Sequence, residues 1–180
     1  MVADRPATPH AGSCGRSRRA VVPEHAQTFL YGGRKVLLLL HFVAAVVLAG
    51  SSTHLALRMP RLLRGRPSPR LERVYGRVVA VSYALAYALG ALLYPTYRVH
   101  VRALFLDRHH PLVSNLFDVK ENLATIALPL ALALGALGGR LGDDADKRLR
   151  PVFASMSAFV AAVVLFDVIA GVLIASYKAV

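Results

Sequence analysis

The sequence predicts an all-α membrane protein, a four-helix transmembrane bundle. Hydrophobic residues make up 56% of the 180 residues and the mean hydropathy is +0.49, above the usual soluble range. The apolar residues are also gathered. Four stretches, 36–57, 78–97, 122–139 and 151–177, hold no Asp, Glu, Lys or Arg apart from Asp167. Each suits the roughly 20 apolar residues that one helix needs to cross a bilayer core.

In chain order, residues 1–33 are polar and rich in Pro, Gly and Ser, with an "RSRR" cluster. This composition predicts a disordered basic tail. It has no apolar run of its own, so it is not a signal peptide by itself. The stretch "RKVLLLLHFVAAVVLAG" has the basic start, apolar run and small-residue end of one. The region before it is long for a signal, so a retained helix over about 36–57 is the reading. The basic loop "RMPRLLRGRPSPRLER" follows, then a second helix over about 74–97. The next loop carries "RVHVRALFLDRHHP" and leads to a third helix over about 118–139, kinked at Pro129. The loop "RLGDDADKRLRP" leads to a fourth helix over about 151–177. Residues 34–180 thus form one transmembrane domain.

The formal net charge is +12. In a soluble chain that would point to nucleic acid. Here the charges flank apolar spans, where headgroups and topology explain them, so no nucleic-acid partner is expected. The expected partners are the bilayer and other membrane subunits. Arginine outnumbers lysine and alanine is frequent, which suggests a high-GC bacterium and its inner membrane. Both termini and the loop 98–117 share one side, side A. The loops 58–73 and 140–150 share side B, whose arginines favour the cytoplasm. The single cysteine, Cys14, excludes an intramolecular disulfide and a cysteine-based metal site.

The candidate site begins with Asp167 in "VVLFDVIAGVL". It lies about 4–5 Å from the middle of the fourth span, towards side A. An ionised carboxylate there costs roughly 2.5–3.5 kcal/mol, so it should face the bundle with a partner or carry a proton. His41, Glu121, Tyr87 and Tyr94 share that half of the membrane. Tyr83, Tyr87, Gly90, Tyr94 and Tyr97 are spaced 4, 3, 4 and 3 along the second helix, one helical face. The deep hydroxyls of Tyr83 and Tyr87 need acceptors, and Asp167 is one of few available. Asp167, His41, Glu121, Tyr87 and Tyr94 are therefore expected to form a buried polar pocket for protons, a metal or a small ligand. Interhelical hydrogen bonding that only holds the bundle together is the alternative.

The polar residues bear on three cofactor chemistries. Haem needs axial partners on facing helices. His41 and His54 point about 140° apart on one helix, and no other span holds a histidine. Asp107, His109 and His110 in "DRHHP" are a weak metal motif. Tyr97, Arg98 and His100 gather where a quinone headgroup could enter, although an ordinary aromatic and basic interface explains them too. The cofactor, haem or metal, stays open. No phosphate loop, paired catalytic carboxylates or nucleophile–base set is present, so an enzyme is not the expected reading.

Lys35, His41, Gly50 and His54 in "KVLLLLHFVAAVVLAGSSTHLAL" resemble the first helix of small bacterial four-helix membrane proteins. The copper-resistance D type and cytochrome b561-like proteins are the families concerned. The resemblance covers about one helix in four. It implies a membrane bundle that handles copper or does haem redox work. The stretch "LYPTYRVHVR…LFDVKENLA" resembles bacterial membrane proteins of no assigned activity.

Overall fold

A computed structural model describes residues 33–66, 68–98, 102, 107, 110–141 and 147–177. The chain forms four long helices: α1, Arg34–Leu63; α2, Pro69–Tyr97; α3, Pro111–Leu137; and α4, Leu149–Tyr177. All four are long and apolar enough to cross a membrane. The protein is an all-α bundle of integral membrane type. The tail before Gly33 lies outside the described residues.

The helices run further than the apolar stretches alone require. α1 continues through Arg58, Pro60 and Arg61, because Met59 and Leu62 still bury against the core. α2 starts at Pro69, a residue pre-set for a first helical position. The basic loop on side B therefore shrinks, and α1 ends in a tight turn at residues 64–66. Gly65 takes φ +77° there. The Arg66 amide bonds the Arg61 carbonyl and the Gly65 amide bonds the Leu62 carbonyl, a Schellman end that favours glycine. α3 likewise begins early, at Pro111, and runs unbroken through Pro129.

The main interfaces join α1 to α2, α2 to α3, α3 to α4 and α4 to α1, a closed square. Large apolar side chains cover the outside: Leu57 is 72% exposed and Ile169 67%. In a membrane these faces meet lipid, which accepts them without cost. Small residues fill the α2–α3 seam. A Cβ on Gly76 would lie 2.7 Å from the Leu134 carbonyl oxygen. One on Gly135 would lie 2.7 Å from Ala80 Cβ, and one on Gly138 2.8 Å from the Glu72 carbonyl oxygen. Backbones approach this closely only where side chains are absent.

Two apolar clusters divide the interior. The larger runs through the middle and side B, with Leu48, Leu55, Val79, Tyr83, Ala131, Phe153 and Val164 among its residues. The smaller closes side A, where Val113, Phe117 and Ile174 pack with Tyr94, Tyr97 and Leu116. Between these levels lie His41 on α1, Gly90 on α2, Lys120 and Glu121 on α3, and Asp167 and Gly171 on α4.

Candidate functional site

The site is this polar layer, built from one stretch of each helix. α1 contributes His41, which is half-buried. Its Nδ1 lies 2.9 Å from the Ala86 carbonyl oxygen of α2. A carbonyl only accepts, so Nδ1 carries the proton of this bond. Gly90, one turn beyond Ala86, makes the room. A Cβ there would sit 3.4 Å from His41 Cε1.

α2 presents the tyrosine face inward, as its spacing predicts. Its hydroxyls find other partners than the expected one. Tyr83 donates to the Ala124 carbonyl at 3.0 Å, and Tyr87 shares a bond with Thr125 Oγ1 at 3.1 Å. Neither bonds Asp167. α3 is the adjacent helix and offers acceptors at the right level, so the tyrosines are satisfied there first. Thr125 in turn donates to the Glu121 carbonyl at 2.9 Å.

α3 brings a residue the sequence reading missed, Lys120. Its Nζ lies 3.6 Å from Glu121 Oε1 and 5.7 Å from the centre of the Phe117 ring. A Cβ on Gly171 of α4 would meet its stem, Cε, at 4.0 Å. Lys120 is thus folded along the bundle, with about a fifth of its side chain exposed. Only the facing glycine on α4 reveals its inward course.

α4 supplies Asp167, one turn before Gly171 on the same face. Its Oδ1 is buried and has no hydrogen-bond partner among the described residues. Lys120 and Glu121 are the charged groups whose fields reach both Asp167 and His41. The field of Asp167 also reaches Tyr83. The layer therefore joins one imidazole, one ammonium and two carboxyls, with the Tyr83 and Tyr87 phenols on its border with the larger apolar cluster.

The end on side A is fastened from outside the layer. Arg102 donates two bonds to Asp118, at 2.6 and 2.8 Å. This paired carboxylate holds the guanidinium above its ordinary value. Arg102 Nε also lies 3.7 Å from Asp107, and Ser114 donates to Asp107 at 2.5 Å. Tyr97 stacks on Phe117 with centroids 4.3 Å apart, and Tyr94 on the same ring at 6.1 Å. The Tyr97 hydroxyl is buried and has no hydrogen-bond partner among the described residues. Arg98 is exposed at the end of α2.

Asp107 and His110 of the expected metal motif are both described, with His110 set against Tyr177 at 4.9 Å. His109 lies outside the described residues, as does His100 of the quinone set. Among the described residues no group of three His, Cys, Asp or Glu is placed to hold a metal ion.

A second buried charge sits on side B. Arg58 Nη2 donates to Glu72 Oε1 at 3.3 Å, and the Glu72 side chain is only 2% exposed. The sequence reading left both in a basic loop. The one visible signal was a single acid, Glu72, among six basic residues in 58–74. The chain matches no family model, no curated protein and no solved structure.

Proposed function

We propose that this integral membrane bundle is a non-enzymatic component of a larger membrane assembly, with an exchangeable proton site at Asp167. On this reading the membrane is a bacterial inner membrane with side B facing the cytoplasm. One observation carries the reading: a buried carboxyl oxygen within the span lacks a partner. A buried polar atom left unpaired is costly, and an intramembrane carboxyl is a functional position by default. The charged groups that act on it are Lys120 and Glu121 of the adjacent α3; Tyr83 of α2, across the bundle, feels its field, and His41 of the adjacent α1 feels those of Lys120 and Glu121. These groups can pass or hold a proton, and together they lack a nucleophile–base pair.

The test is infrared difference spectroscopy of the protein in liposomes, titrated with pH. A carboxylic-acid carbonyl band that titrates and disappears in Asp167→Asn is the expected result. Absence of that band at every pH sinks the proposal.

A second reading, quinone binding at side A, is favoured by the unpartnered Tyr97 hydroxyl. That hydroxyl would donate to a quinone carbonyl, with Arg98 beside it. Quinone co-purifying with the protein should fall about fivefold to tenfold in Tyr97→Phe, the value of one hydrogen bond. Equal quinone content in both proteins removes this reading.

A further inference from the structure

We propose that the outward furrow between α1 and α2 holds an anionic phospholipid, with its phosphate at the side B end. Two depressions define the furrow. The first, of about 720 Å³, is lined by residues including Leu40 and Val47 of α1 and Val78, Leu85 and Leu92 of α2. The second, of about 350 Å³, is lined by His54, Leu57, Arg58, Arg61, Leu71 and Tyr75.

The two are parts of one stripe. Leu40, Val47, His54 and Arg61 follow one another at seven-residue intervals on α1. Leu71, Val78, Leu85 and Leu92 do the same on α2. Seven residues are two turns of packed helices, so each series keeps to one side of the α1–α2 seam. The lining is therefore apolar along most of the membrane and basic towards side B.

Its charge selects the occupant. Arg61, Arg77 and His54 are all exposed. Arg61 and Arg77 have no acidic partner among the described residues, whereas Arg58 is committed to Glu72. Arg77 borders the apolar part of the furrow. It lies about 9 Å from the middle of α2, well inside a hydrocarbon half-thickness of about 15 Å. An arginine at that depth extends to the headgroups, where a phosphate matches its fork of donors. His54 stacks flat on Tyr75, with centroids 5.8 Å apart and planes 6° apart, and the pair forms one wall of the mouth. From Arg77 to Leu92 the furrow runs about 22 Å, longer than the depth of one leaflet. An acyl chain fits along it. A neutral helix would use the apolar length and leave the arginines unmatched.

The experiment is native mass spectrometry of the full chain, delipidated and then exposed to equimolar phosphatidylglycerol and phosphatidylcholine. The expected result is one retained lipid per chain, with phosphatidylglycerol favoured about tenfold or more, from two basic residues near the headgroups. Arg61→Gln with Arg77→Gln should abolish that preference. Leu85→Trp, which fills the furrow and keeps the charges, should lower retention of both lipids. Equal retention of the two lipids by the wild type overturns the proposal. So does a preference that survives the double arginine change, or retention untouched by Leu85→Trp. A lipid-free dimer in place of the lipid adduct also overturns it, by giving the furrow to a second copy. If the double variant fails to fold, the wild-type preference and Leu85→Trp still decide.

Discussion

Arg58→Met is expected to destabilise the bundle by about 3 kcal/mol, the lower end of what breaking a buried ion pair costs. The arithmetic favours a large effect because the two partners are unequally placed. Arg58 keeps 17% of its side chain exposed, and Glu72 keeps 2%. Removing the arginine strands Glu72 where water cannot compensate it. Glu72→Leu should cost less, since Arg58 can extend towards the headgroups. The double change Arg58→Met with Glu72→Leu should recover most of the loss, because an apolar pair of similar volume replaces a buried ion pair at little cost. Unfolding titrations in mixed micelles would measure all three. Single variants within about 1 kcal/mol of wild type would show that the pair is solvated and without structural weight.

The second large effect lies in the α2–α3 seam. Gly76→Leu should destabilise by about 3 kcal/mol, the upper end of ordinary overpacking. Its first side-chain carbon would meet a backbone carbonyl at 2.7 Å, and a backbone in mid-helix cannot turn aside as a side chain can. Gly76→Ala should be milder, since alanine regains up to about 1 kcal/mol of helix propensity. Gly90→Ala is the internal control. Its new carbon would meet the His41 ring at 3.4 Å, a contact a side chain can relieve, so the change should stay within about 1 kcal/mol of wild type. Thermal unfolding in detergent separates the three. A Gly76→Leu protein as stable as Gly90→Ala would mean the seam opens freely.

The architecture was legible in the sequence because membrane spans are set by composition over some twenty residues. Uncharged stretches mark them whatever their neighbours do. The inward tyrosine face of α2 was legible for a related reason: spacings of 4 and 3 need no partner to be read. Helix ends were less legible. Arg58 and Glu72 read as loop charges because charge marks the end of an apolar run. The helical state of Arg58 depends on Met59 and Leu62 finding the core, and that of Glu72 on α2 starting at Pro69. Partner choice within the layer was least legible. Tyr83 and Tyr87 were matched to Asp167 by depth alone. Depth gives a residue's level and says nothing of which helix stands next to it. The α3 carbonyl of Ala124 and the hydroxyl of Thr125 won because α2 packs on α3. Lys120 was missed for the same reason, since only Gly171 on a different helix tells which way its stem lies.

The ring cluster of Tyr94, Tyr97 and Phe117 has a consequence for time. Along the bundle axis it stands between the polar layer and side A. Packed rings turn over far more slowly than exposed side chains, which change rotamer in picoseconds to nanoseconds. If Asp167 is the exchangeable proton site proposed above, parting of these rings is expected to set the pace at which it equilibrates with the water of side A.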